Sequence, residues 1–251
     1  MRHFASQILK PYILGHKYQN ILEIGSSRGQ NADQLLKGNP KIKISVIDPC
    51  VHRDLIEKYK NNPRVNLLKG LSLEILPQLR NPFDCILIDG DHNYYTVLNE
   101  LEEIHRHGLL KNSGTIFLHD VRWPYARRDM YYDPANIPKE HLFSYAQRGM
   151  ARGRRELVDE GGFNAGANNA LYEGGPRNGV LTAVEDFLRP NNGQYIYYAS
   201  NSQYGLGVII KKPATPPLLS AWYWRVKLFD LKTTFRLAVK RLKSIAPALK
   251  L

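Results

Sequence analysis

Five short β-rich runs, Asn20 to Gly25, Lys41 to Asp48, Val65 to Gly70, Phe83 to Asp89 and Gly114 to Val121, alternate with stretches whose apolar residues recur at helical spacing. The helical stretches are Asn31 to Lys37, Arg53 to Asn61, Ser72 to Arg80 and Tyr94 to His107. Strands that alternate with helices are joined by crossovers, so they lie parallel and are covered by helices. The pattern therefore predicts an α/β sheet. At 251 residues the chain can bury one sizeable core and does not force a second domain.

After Val121 the texture changes. Residues 122 to 177 are dense in Arg, Tyr, Gly, Asn and Pro, too long for an ordinary connection and therefore expected to be functional or disordered. Regularity returns with a helix over Asn178 to Leu188. Two strands follow, Gln194 to Ala199 and Gly205 to Lys212, close enough to pair as an antiparallel hairpin. Pro213, Pro216 and Pro217 then mark a boundary. The expected organisation is an N-terminal helical segment (1–19), one domain (20–212) with an insertion (122–178), and a tail (213–251).

Lys and Arg number 35 against 23 Asp and Glu, a net charge of +12, so an anionic partner has to be considered. From Leu218 onward the net charge is +7. There Leu228, Leu231, Phe235, Ala238, Leu242 and Ile245 recur at helical spacing, opposite Arg225, Lys232, Arg236, Lys240 and Lys243. This basic amphipathic helix, preceded by Trp222, Tyr223 and Trp224, suits an anionic membrane, a partner or second protomer, or the chain's own core. No RNA-binding module is evident, so nucleic acid is disfavoured. Cys50 and Cys85 form no disulfide framework, and neither a signal-peptide pattern nor a spanning apolar run is present, which points to a cytoplasmic setting, peripheral to a membrane at most.

The chemistry-bearing residues sit where strands end. Strand one runs into Glu23-Ile24-Gly25-Ser26-Ser27-Arg28-Gly29, whose glycines permit a tight turn and close backbone approach to a ligand. Asp48 closes strand two, where nucleotide-binding sheets place a ribose acceptor; a turn aspartate before Pro49 is the plainer reading. Ser72 follows strand three and would equally cap a helix. Strand four ends in Asp89-Gly90-Asp91-His92 and strand five in His119-Asp120. Asp, His and Asp together make a fitting shell for Mg²⁺ or Mn²⁺. Asp91 and His92 would otherwise cap the next helix, and His119 would pack at its strand end.

The five β/α units, terminal hairpin and Glu-x-Gly-x-x-x-Gly turn resemble the class I S-adenosylmethionine-dependent methyltransferases, with a seven-stranded Rossmann-like sheet. The resemblance implies that Glu23, Gly25, Ser26 and Gly29 cradle the methionine end of S-adenosylmethionine, with Asp48 on its ribose, Ser72 near its adenine and Asp89 beside it. The strand-four and strand-five ends are similar to the metal-dependent sugar O-methyltransferases of the macrocin and mycinamicin type. That likeness implies Asp89, His119 and Asp120 as metal ligands and His92 as the catalytic base, although His119 stands where an acidic residue is usual. It further implies O-methylation of a sugar or glycan hydroxyl. Trp123, Tyr125, Arg127, Arg128, Arg177 and Asn178 are the substrate-binding candidates, with Asn164 to Gly179 expected to form a mobile lid. Methylation of a phenolic or other small-molecule hydroxyl is the alternative within the class. A cofactor-binding adaptor recruited through the tail is the alternative outside it.

Overall fold

The computed structural model of the chain describes residues 1–212 and 216–245. The chain opens with a short helical turn, α1 (Arg2–Phe4), a π-helical turn (Ala5–Leu9) and α2 (Lys10–Gly15). Then come β1 (Asn20–Ile24), α3 (Gln30–Gly38), β2 (Lys43–Asp48), α4 (Arg53–Tyr59), β3 (Val65–Lys69), α5 (Ser72–Ile75), β4 (Phe83–Ile88), α6 (Tyr94–Arg106) and β5 (Leu110–His119). The insertion contributes β6 (Met130–Tyr131), β7 (Tyr145–Gln147) and β8 (Asn168–Ala170), after which α7 (Val180–Leu188), β9 (Tyr195–Ser200), β10 (Leu206–Lys211) and α8 (Pro216–Ile245) complete the order.

The main sheet has seven strands in the order β3-β2-β1-β4-β5-β10-β9. β1 to β5 are parallel, while β10 runs antiparallel to both β5 and β9. The expected α/β architecture and terminal hairpin are therefore observed. The central strands are apolar almost throughout because helices cover both faces: Ile21, Leu22, Ile86, Ile116, Phe117 and Leu118 are wholly buried. Each such side chain contributes about 1.5–3 kcal/mol relative to exposure.

Two helices are shorter or differently begun than the periodicity predicts. The helix expected from Ser72 to Arg80 stops after Ile75 and continues only as a 3-10 turn over Leu76–Gln78, because Pro77 offers no N–H. Ser72 is not its cap; Leu71 occupies that position, and no side chain caps the helix. For α6 the cap is Asn93, whose side chain accepts from Thr96 N at 2.8 Å, so neither Asp91 nor His92 has that task.

The insertion is built rather than loose. β6, β8 and β7 form a separate three-stranded antiparallel sheet, which the sequence pattern did not signal. Its hub is Asp129, wholly buried, which accepts from Tyr94 N (2.7 Å), Gly179 N (2.7 Å) and Tyr131 Oη (3.1 Å). Those bonds tie the insertion to the starts of α6 and α7. The stretch expected to be a mobile lid supplies β8, the middle strand of this sheet, and Asn169 in it donates to Arg148 O and Asn164 O, both at 2.9 Å. Within the expected lid, Asn168–Ala170 are therefore packed as a strand, while 175–177 are exposed.

Candidate active site

Parallel strands deliver their carboxyl ends to one edge of the sheet, and the turn after β1 meets the end of β4 there. Gly25 has φ of +81°, and a Cβ at this position would lie 2.5 Å from Asp89 O and closer still to Gly90 Cα. Both obstacles are backbone, so only glycine lets β1 turn this close to β4. Gly29, at φ +69°, then occupies the left-handed conformation immediately before α3.

Around this turn the expected residues gather. Asp48 Oδ2 accepts from Ser26 N (2.8 Å) and Ser26 Oγ (2.9 Å), and its Oδ1 accepts from Cys50 N (2.8 Å). Asp48 thus braces the glycine turn; its Oδ2 is taken up by Ser26, and Oδ1 retains acceptor capacity. Glu23 is wholly buried; its Oε1 accepts from Asn31 Nδ2 at 2.9 Å, while Oε2 has no partner. Burial pushes its carboxyl up to about 8, against the lowering effect of Asn31. A buried carboxylate oxygen left unpaired is costly, and a ligand ammonium would satisfy it. Ser72 donates to Glu100 Oε1 at 2.6 Å; Glu100, also wholly buried and pushed up to about 8 by burial, was missed because it sits on an ordinary helix face in sequence.

Beside the turn lie Asp89, His92, His119 and Asp120. His92 Nδ1 is 3.0 Å from Asp120 Oδ2. His119 Nδ1 lies 2.8 Å from Asp120 Oδ2 and 3.2 Å from Asp89 Oδ1, and the Met1 amine donates to Asp89 Oδ2 at 2.6 Å. Burial drags the His92 imidazole down, yet Asp120, Asp89 and Asp91 together raise it above its ordinary value. His119 is lifted to about 9: its hydrogen bonds to Asp120 and Asp89 overcome burial. The reciprocal effect holds Asp120 far below the usual carboxylate range, burial notwithstanding. Asp120 itself has φ of +61°, which turns its carboxylate back under both rings at a conformational cost typical of functional sites.

The ring of His92 stacks on Tyr125 (centroids 5.4 Å apart, 9° between planes). Its other nitrogen, Nε2, faces the Tyr132 hydroxyl at 3.2 Å, and Tyr132 is two-thirds exposed. That Tyr132 meets His92 is not written in the local sequence, since only the course of the insertion brings the two together. Donor atoms of Asp89, His92 and Asp120 all fall within 4.8 Å of one another, a grouping that fits a divalent cation. The imidazole in that grouping is His92; the expected ligand His119 is not part of it, although its Nδ1 contacts both carboxylates.

The substrate candidates divide. Trp123 is half-buried, its ring 4.4 Å from the Arg152 guanidinium and 5.6 Å from Phe163; Phe163 leads to Tyr204 (5.7 Å) and Tyr204 to His119 (5.9 Å). Tyr125 meets the site through His92. Arg177 is exposed at the insertion's far end. Three others are engaged by other parts of the chain. Arg127 pairs bidentately with Glu185 at 2.6 Å, Arg128 is wholly buried and donates to Ala170 O and Arg155 O, and Asn178 accepts from Asp129 N at 2.7 Å while donating to Tyr172 O and Gly174 O. Arg128 and Asn178 thus hold the insertion's backbone in shape, which corrects their expected part in substrate recognition, while Arg127 ties the insertion to α7 through a partly exposed ion pair.

Comparison with known proteins agrees with this geometry. Residues 22–121 match a family model described as a methyltransferase domain. A curated relative, the O-methyltransferase hkm8 of Aspergillus hancockii, is 25% identical over 127 residues, covering 47% of this chain and 50% of the relative. The chain thus spans about half the length of that relative. The methyltransferase PaMTH1 of Podospora anserina, solved with S-adenosylhomocysteine, aligns with TM-score 0.51 at 18% identity, covering 80% of this chain and 75% of that one. A candidate caffeoyl-CoA O-methyltransferase from Staphylococcus aureus aligns with TM-score 0.51 at 18% identity, covering 81% of each chain. Residues 22–121 are thus similar to a methyltransferase domain, and they lie in a seven-stranded, mostly parallel sheet with the Rossmann-like fold of solved methyltransferases.

Proposed function

We propose that the chain is an S-adenosylmethionine-dependent O-methyltransferase acting on a hydroxyl of a sugar or glycan, with His92 as general base. The observation that carries this reading is the Asp120–His92 contact at the edge where the glycine turn ends, with Nε2 directed outward. The O-methyltransferase relative supports oxygen as the acceptor atom. When bound, S-adenosylmethionine supplies a methyl group already activated on a sulfonium. Glu23 would pair with its ammonium, Gly25 and Ser26 would line it, and Asp48 would accept from its ribose. Asp120 keeps a proton on His92 Nδ1, which leaves Nε2 free to take the acceptor's proton as its oxygen bonds the methyl carbon and the carbon–sulfur bond breaks. The exposed Tyr132 hydroxyl marks the direction from which an acceptor hydroxyl reaches Nε2. The aromatic path through Trp123, Phe163 and Tyr204, with Arg152, suits sugar rings bearing polar groups.

A second reading rests on the Asp89, His92 and Asp120 grouping. A divalent cation held there would lower the pKa of a hydroxyl and supply what the base otherwise provides. The two readings compete for one ring: an imidazole bound to a cation through Nδ1 carries its proton on Nε2 and accepts no other. Incubation with labelled-methyl S-adenosylmethionine and pools of polysaccharide, glycolipid and phenol, in excess chelator, separates them. Label is expected in a glycan pool with chelator present. Label confined to phenols moves the acceptor class, and activity lost to chelator, restored by Mg²⁺ or Mn²⁺, and unresponsive in Asp89→Asn establishes the cation.

Cofactor binding should depend on pH through Glu23. Free Glu23 is protonated below about 8, and pairing with an ammonium requires its ionised form, so binding expels a proton at neutral pH. Affinity is expected to rise toward about tenfold per pH unit below that value and to flatten above it, with Glu23→Gln removing the dependence. Calorimetry in buffers of different ionisation heat measures the released proton directly; no release in the wild type removes Glu23 from the cofactor's ammonium.

A further inference from the structure

Among its described side chains, helix α8 has a buried inner side and an exposed apolar row. Its inner side is anchored: Val226 and Phe229 are buried, Phe229 packing on Phe4 with ring centroids 5.5 Å apart. Asp230 accepts from Ser200 Oγ, Asn201 N (2.8 Å), Ser202 N (3.2 Å) and Ser202 Oγ (2.9 Å), which pins the β9–β10 turn. The stripe that the sequence pattern singles out faces elsewhere. Leu228, Leu231 and Phe235 are 51%, 68% and 70% exposed, and Trp224, one turn earlier on the same face, is 67% exposed. The side chains of Ala238, Leu242 and Ile245, which extend this stripe in sequence, lie outside the described residues.

Large apolar side chains aligned on one exposed face mark an interaction site on a soluble chain. Charge decides what fits. Arg225, Lys227, Lys232 and Arg236 border the row, and the one acid among residues 222–236, Asp230, is turned inward to the β9–β10 turn. A second copy docking through the same face would set these cations against their equivalents. A nucleic acid would answer the charge and leave Leu231 and Phe235 in water. An anionic bilayer answers both, taking the apolar row among its acyl chains while the Lys and Arg stems reach the headgroups. Trp224 and Tyr223 suit the same interface, and Arg225 and Lys227 lie over the rings of Trp222 and Tyr223 at 4.9 and 5.4 Å. Among the described residues no helix is long and apolar enough to cross a membrane, so α8 would lie on the bilayer.

We propose that α8 is an interfacial helix that docks this protein on an anionic lipid surface through Trp224, Leu228, Leu231 and Phe235. The full chain is to be sedimented with vesicles of phosphatidylcholine alone and with vesicles in which a third of the lipid is phosphatidylglycerol. The wild type is expected to sediment with the anionic vesicles at least about tenfold better than with the neutral ones, and to be released as salt is raised. Leu231→Ser with Phe235→Ser, and separately Lys232→Glu with Arg236→Glu, should each abolish sedimentation while leaving the circular dichroism melt unchanged. The proposal is overturned if the wild type stays in the supernatant with both vesicles. It is equally overturned if either variant sediments like the wild type, or if the chain forms a dimer that the serine variant dissociates while vesicles leave it in solution.

Discussion

His92→Ala lowers the rate of methyl transfer by about 10²-fold or more while leaving S-adenosylmethionine affinity within a few-fold of wild type. The size follows from what the ring does: Asp120 fixes the proton on Nδ1, at 3.0 Å, and so reserves Nε2 as acceptor. Alanine removes the acceptor and leaves Asp89, His119 and the cofactor turn in place. Asp120→Asn should fall on the same side, losing rate through the wrong tautomer rather than through lost binding. Single-turnover rates at saturating acceptor make the comparison. A loss of only a few-fold in His92→Ala, with chemistry limiting, would return His92 to a supporting position beneath Tyr132.

Gly25→Val abolishes cofactor binding, an expected weakening of at least about 10²-fold. Two physical terms act together. A β-branched residue is poorly accommodated at φ +81°, at a cost of about 1–2 kcal/mol or more. Its Cβ would also stand 2.5 Å from Asp89 O, so β1 and β4 must separate where the ligand and the base meet. Calorimetric titration checks binding, and a thermal melt shows whether the variant is folded. Gly29→Ala makes the useful contrast, since the obstacle there is the tip of Leu55, a flexible side chain, and a smaller loss is expected. Folded Gly25→Val that binds S-adenosylmethionine like the wild type would remove the turn from the cofactor site.

The sheet was legible because parallel strands covered on both faces must be apolar, and runs such as Ile86-Leu87-Ile88 and Ile116-Phe117-Leu118 have few other uses. The carboxylates that follow them were legible as a site for the same reason: Asp89 directly follows Ile86-Leu87-Ile88, and Asp120 lies one residue beyond Ile116-Phe117-Leu118. What escaped notice was held by distance in sequence. Tyr132 reaches His92 across 40 residues, Glu100 meets Ser72 across 28, and Asp129 gathers Tyr94 and Gly179 from 35 and 50 residues away. No local pattern encodes those meetings. Arg128 and Asn178 misled because guanidinium and amide groups suit a sugar and a backbone carbonyl equally well. A long insertion rich in Arg, Asn and Gly has its own backbone polar groups to satisfy, and these residues do so.

The central claim is that His92, oriented by Asp120, removes the acceptor's proton during methyl transfer. The most direct test is the single-turnover methyl-transfer rate as a function of pH, in excess chelator, for the wild type and His92→Gln. Because Asp120, Asp89 and Asp91 raise the imidazole above 6.5 despite its burial, His92 is protonated at low pH and gains its basic form only as pH climbs. The wild-type rate should therefore rise with pH through a midpoint above 6.5, and the rise should be absent from a much slower His92→Gln. A wild-type rate that does not vary with pH, or the same midpoint in both proteins, would contradict the account.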